Sequence, residues 1–365
     1  MYIHMEEDCS MRTTKKRKST GITRHLQGIG MLSLALFATL SCMFFPEGIK
    51  AEEEIYYSGP ITVSREEESA KIQRAPAYNK EWARAYFPML PIIRQNLDPI
   101  ASEDICVLFG QKQPSEAAKE ALVNAITTLK QDNHFVSFMM VDANSLSGVA
   151  YNADSPFCTQ STIKAIYVGT LLENHPEALQ ENGQYMHDAI VYSDNDAYES
   201  LRTIYGDDDL HRWFRETGVE EYKADPLYPR NVTVKEMVKL WTRLYEVLNG
   251  EDPENFAAYY ADSLASATSA VLGEIYPVQT KAGWETGIYS DFPYFDPAEI
   301  EERFLDKDPS NDECSINDTG IVYTTNGPYF FAIFTDYPYD IYPNLANPLE
   351  GLARTLLDVQ RSYYE

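Results

Sequence analysis

The sequence predicts a mixed α/β domain of the α+β kind: an antiparallel sheet flanked by helices, its two halves separated by a helical insertion. Two observations carry that prediction. Ala118, Leu122, Ala125, Ile126 and Leu129 recur at helical spacing just before two runs of strand character, 134–142 and 148–152. Strand patterns then return only at 278–284, 320–325 and 329–335, after a long stretch whose apolar residues follow the helical period.

Each element has a local cause. Ser115 is a helix N-cap with Glu116 in the first turn, and the helix it opens runs to about residue 130. A turn over 143–147 joins the first two strands. A helix opens near Ser161 and carries Ile163, Ile166, Tyr167, Val168, Leu171 and Leu172; shorter helical stretches occupy roughly 196–217. Thr233-Val234-Lys235-Glu236 is a T-x-x-E capping box that launches an amphipathic helix through Met237, Leu240, Trp241, Leu244 and Leu248. Leu349, Leu352, Leu356 and Val359 mark a closing helix. No repeat of solenoid or propeller period occurs.

With 365 residues, 44% of them hydrophobic, the chain can bury a large core, which excludes disorder and collagen-like repetition. Lys and Arg number 30 against 56 Asp and Glu, a formal charge of −26, so a phosphate backbone is repelled and no nucleic-acid partner is expected. Arg12, Lys15, Lys16, Arg17, Lys18 and Arg24 precede an uncharged run over 28–45, the order of a secretory signal, with cleavage after Ala51. The same run is just long enough to remain as a signal anchor and membrane tether. Cys42 resembles a lipoprotein acceptor only loosely. Residues 1–51 are therefore read as signal peptide or anchor, 52–112 as an N-terminal extension or linker broken by Pro60, Pro76, Pro88, Pro91 and Pro99, and 113–365 as the functional domain. Cys106, Cys158 and Cys314 remain after residue 51, allowing at most one internal bridge. No C-x-x-C pair and no ligand spacing among the histidines points to a metal, and no cofactor is expected.

Ser161-Thr162-Ile163-Lys164 places a hydroxyl and an amine one turn apart at a helix start, where a desolvated lysine can serve as base to the serine. One such S-x-x-K is expected by chance in a chain of this length, and an N-cap serine beside a solvated lysine is its plainer reading. Ser193-Asp194-Asn195 follows, itself a common helix-capping turn. Then Lys281-Ala282-Gly283-Trp284 puts a lysine on an inferred edge strand, with a glycine that admits close approach to the backbone. Three such pieces in this order are far less common than any one.

Together they resemble the class A serine β-lactamases and penicillin-binding D,D-peptidases, whose set is S-x-x-K, S-D-N and K-T-G. The likeness runs through FCTQSTIKAIYVGTLLE, YSDNDAYESL, TKAGW and TGIVYTTNGPYFFAIFTDYP, over about residues 115–365. It implies a β-lactamase/transpeptidase-like fold with a small all-helical subdomain. It implies Ser161 as nucleophile, Lys164 as its base, Ser193 as proton shuttle to the leaving amine, Asn195 as hydrogen-bond partner of a substrate amide, and Lys281 as holder of Ser193 and of a substrate carboxylate. The backbone N–H groups of Ser161 and Trp284 would form the oxyanion hole, with Gly283 keeping the strand open.

The chain departs from that pattern at three places. Ala282 lacks the family's hydroxyl, so carboxylate recognition is either weakened or handled by Thr280 or Thr286 instead. No E-x-x-L-N lies between Asn195 and Thr233, and Glu216, Glu220 and Glu221 read as solvated helix ends. The Ser161 to Ser193 spacer is short, implying a trimmed subdomain and an open cleft. The expectation is thus a secreted or extracellular membrane-anchored monomer, a serine hydrolase forming an acyl-enzyme on a β-lactam or peptidoglycan-type amide, with slow release. The alternatives are a non-catalytic domain that binds cell-wall peptides and a membrane-tethered interaction partner.

Overall fold

The computed structural model describes residues 80–130, 134–250, 263, 265–285, 315–337 and 348–365. The expected signal, the charge-free run 28–45, residues 52–79 of the expected extension, Cys314 and Thr286 lie outside them. Among the described residues no helix is long and apolar enough to cross a membrane.

The sheet forms as expected and is antiparallel throughout. Its strands are β1 (Cys106–Phe109), β2 (Val136–Asp142), β3 (Gly148–Tyr151), β4 (Val278–Glu285), β5 (Ser315–Thr324) and β6 (Gly327–Thr335), in spatial order β1-β3-β2-β6-β5-β4. The early and late halves join where β2 pairs with β6, Met139 opposite Ala332. This leaves β4 on the edge, as expected, with Lys281 opposite Thr319.

Both faces of the sheet are covered, which is why β2 and β6 read as continuous apolar runs. Phe138, Met140, Tyr329, Phe331 and Ile333 face one cluster, shared with α3 (Glu116–Leu129), α9 (Ala267–Leu272) and the closing α10 (Pro348–Ser362). Met139, Val141, Phe330, Ala332 and Phe334 face the other, shared with α4 (Ile163–Asn174) and α8 (Val234–Leu248). The alternation of a strand thus sends neighbours into separate cores.

Between the halves lie α5 (Ala178–Val191), α6 (Asn195–Tyr205) and α7 (Asp208–Thr217). The last two are the shorter helical stretches expected over roughly 196–217; α5 was not among the expected elements. The expected caps are present: Ser115 Oγ accepts from Ala118 N, and Thr233 and Glu236 complete a capping box.

A correction concerns the described part of the expected extension. Residues 80–109 are built into the domain: Ala83 of α1 (Lys80–Arg84) and Leu90, Ile93 and Leu97 of α2 (Leu90–Leu97) are buried in the core beneath α8. β1 then pairs with β3, Cys106 opposite Tyr151. Pro88 and Pro91 sit at helix starts, where their missing N–H costs nothing, rather than breaking a helix. Asn317 of β5 is buried and donates to Cys158 O (2.9 Å).

Candidate active site

Ser161 is the middle residue of a 3-10 turn, Gln160–Thr162, that leads into α4. Gln160 has φ +48°, the left-handed region rare for a residue with a side chain, so the chain turns sharply just before the serine. The approach is clamped from both sides. Phe157 and Val232 exchange backbone hydrogen bonds of 3.0 and 3.1 Å, and Thr159 N donates to Pro229 O (2.7 Å). Strong local backbone constraint of this kind is a device that holds functional residues.

Lys164 lies one turn on, fully buried. Its Nζ donates to Ser193 O (2.6 Å), Asn195 Oδ1 (2.6 Å) and Asp194 O (3.3 Å), and stands 5.7 and 5.8 Å from the ring centres of Tyr198 and Tyr228. An ammonium has three protons to donate, and none of its hydrogen bonds among the described residues goes to Ser161. Burial pushes its pKa down to about 8, against the opposing pull of Asp194 and Glu199.

Ser193 joins α5 to α6 with φ +58°, and Asp194 caps α6 by accepting from Ala197 N. Lys281 reaches across from β4: its Nζ donates to Ser193 Oγ (2.9 Å) and to Ala282 O (2.6 Å), and lies 5.8 Å from the centre of the Trp284 ring. Ser193 is therefore held twice, its carbonyl by Lys164 and its hydroxyl by Lys281. Burial drives the Lys281 pKa well below its usual value, the nearby Lys164 charge adds to the fall, and Asp318 opposes it. Two buried ammonium groups around one serine make a site in which a proton is readily given up.

Gly283 touches the Ser161 turn directly. A Cβ on it would lie 2.7 Å from Ser161 N and 2.9 Å from Thr162 N, so only glycine lets the edge strand approach so closely. Trp284 is the next residue along the strand.

The sequence thus named residues that the fold brings together: Ser161, Lys164, Ser193, Asn195, Lys281, Gly283 and Trp284. Thr280 does not serve as the substitute hydroxyl expected for the Ala282 position; it is buried and hydrogen-bonded to Ser269 (2.8 Å). Glu216, Glu220 and Glu221 stand in exposed ion pairs, with Arg212 and Arg243, Lys223, and Arg215 respectively. Sequence reasoning missed Tyr198, Tyr228 and Asp318. Tyr198 follows Asn195 by one helical turn, a spacing that was legible; Tyr228 and Asp318 carry no local signal. Asp318 lies across from Ala282, buried, its Oδ2 accepting from Thr268 N (2.8 Å) and Ser266 Oγ (3.1 Å), and burial pushes its pKa up to about 6. No group of three His, Cys, Asp or Glu among the described residues could hold a metal ion.

Residues 180–360 match the model of the Beta-lactamase enzyme family. The match begins after Ser161 and Lys164, so their placement rests on geometry alone. No curated protein matches the chain. Among solved structures, a class A β-lactamase from Mycobacterium abscessus is similar over 67% of this chain and 100% of its own, at 16% identity and a TM-score of 0.47. A β-lactamase from Streptomyces albus G covers 65% and 99% at 16% identity and a TM-score of 0.45. Carbapenemase VCC-1 from Vibrio cholerae covers 66% and 99% at 13% identity and a TM-score of 0.46.

Proposed function

Because the chain belongs to the serine β-lactamase and transpeptidase-like superfamily, whose members include serine hydrolases, we propose that it is a serine hydrolase that forms an acyl-enzyme on a β-lactam or peptidoglycan-type amide and releases it slowly. The observation that carries this reading is the clamp on Ser193 by two buried lysines, beside the Ser161 turn that the edge strand approaches closely at Gly283. Export supports a cell-wall substrate, and the basic and apolar order of the N-terminus supports export.

This reading gives each residue of the site a step. Ser161 Oγ attacks the carbonyl carbon, and the proton passes to Lys164 in its neutral form. The charge that develops on the carbonyl oxygen is met by the N–H groups of Ser161 and Trp284. Ser193, held by Lys281, delivers a proton to the departing nitrogen, and Lys281 draws the substrate carboxylate. Asn195 offers its amide to a substrate amide. Hydrolysis of the ester then needs a base for water. Glu216, Glu220 and Glu221, between Asn195 and Thr233, are engaged in ion pairs near the surface, which supports slow release.

Intact-protein mass spectrometry after incubation with benzylpenicillin tests this. A persistent adduct is expected. Accumulating hydrolysed product without an adduct keeps the hydrolase and removes slow release, and neither adduct nor product overturns the proposal.

The pH dependence of acylation follows from the depressed Lys164 pKa. Below about 8 the lysine carries a proton it must lose to act as base, so the rate should rise about tenfold from pH 6 to pH 7 and level off above about 8. Stopped-flow acylation by a fluorescent penicillin between pH 6 and 9 measures it. A flat profile below pH 8 removes Lys164 as the base.

A further inference from the structure

We propose that Tyr228 is a positioning residue of this site: its hydroxyl turns the Asn195 amide so that the NH2 group faces the substrate. The inference rests on the reading of Asn195 given above. Tyr228 OH donates to Asn195 Oδ1 at 2.8 Å, and Lys164 Nζ donates to the same oxygen at 2.6 Å. A carbonyl oxygen accepts two hydrogen bonds, so both lone pairs are taken and the amide cannot rotate by 180° without setting its NH2 against an ammonium. The nitrogen is left directed away from the two donors. Asn195 itself is an exposed residue.

The loop that carries Tyr228 is fixed at each end of Pro226-Leu227-Tyr228-Pro229. Arg202 Nη1 donates to Pro226 O and Leu227 O, both at 3.1 Å, and Tyr198 OH donates to Leu227 O at 3.1 Å. Arg202 is in turn oriented by a two-point ion pair with Asp207, at 2.6 Å for each contact. On the far side, Pro229 O accepts from Thr159 N, two residues before Ser161. The two prolines limit the backbone between these anchors. The phenol is thus tied to α6, which carries Asn195, and to the segment that delivers Ser161. Its ring centre lies 5.8 Å from the Lys164 ammonium.

A double-mutant cycle with Tyr228→Phe and Asn195→Ala tests the assignment, read as the acylation rate of the full chain by a fluorescent penicillin. Tyr228→Phe keeps the ring over Lys164 and removes only the hydroxyl. The second-order acylation constant should fall about fivefold, the worth of one hydrogen bond, chiefly as weaker binding of the probe. In the Asn195→Ala background the same change should have no effect beyond about twofold, because the residue it positions is gone. Equal falls in both backgrounds, or none in the first, overturn the proposal. If the wild-type protein takes up no probe, the reading of the site's function fails separately. The side-chain amide resonances of Asn195, assigned by their loss in Asn195→Ala, then carry the test: they should shift and broaden in Tyr228→Phe, and resonances left unmoved overturn the proposal.

Discussion

Ser161→Ala is expected to keep the fold and to abolish the benzylpenicillin adduct. The side chain is small, 9% exposed, and lies on a turn whose conformation is set by backbone contacts at Phe157 and Thr159. Loss of its hydroxyl should therefore change stability by no more than about 0.5 kcal/mol. The effect on chemistry is of another order. Removal of a nucleophilic serine from a working site costs on the order of 10⁶ in rate, since no neighbouring group can form the same ester. Intact mass of the variant beside wild type, with thermal unfolding of both, measures the two effects separately. An adduct retained by the variant would move the nucleophile elsewhere, to Ser193 or to one of the buried lysines.

Gly283→Ala should damage acylation strongly, though less than loss of the Ser161 hydroxyl, and should be visibly harmful to stability. The added methyl would meet Ser161 N at 2.7 Å, Thr162 N at 2.9 Å and Gln160 Cβ at 3.0 Å. Two of these are backbone atoms in a clamped turn, so the strand or the turn must move. Either movement changes the separation of the Ser161 and Trp284 N–H groups, and losing one such donor typically costs about 10²–10³ in rate. The overpacking adds about 1–3 kcal/mol of destabilisation. Gly351→Ala is the matched control: it lies in α10 with nothing within 4 Å of the added carbon, and alanine favours a helix. Acylation rates and melting temperatures of the two variants should therefore diverge in both readouts. A Gly283→Ala protein that acylates at the wild-type rate would remove this strand contact from the mechanism.

Much of this molecule was decided by residues close together in sequence. Ser115 and Thr233 each announce a helix because a cap is satisfied within three residues. The S-x-x-K pair is legible because a helix start places positions three apart on one face, and Gly283 is legible as a place where something must approach the strand backbone closely. What came from tertiary structure alone depends on partners far along the chain. Residues 80–109 look like a proline-broken linker until α8 and β3 are there to bury them. Tyr228 meets Asn195 across 33 positions, Lys281 meets Ser193 across 88, and Thr280 turns to Ser269 rather than to the cleft. The depressed pKa values of Lys164 and Lys281 belong to the same category. A lysine's charge is costly only where neighbouring elements have removed its water, and no local pattern states which elements those will be.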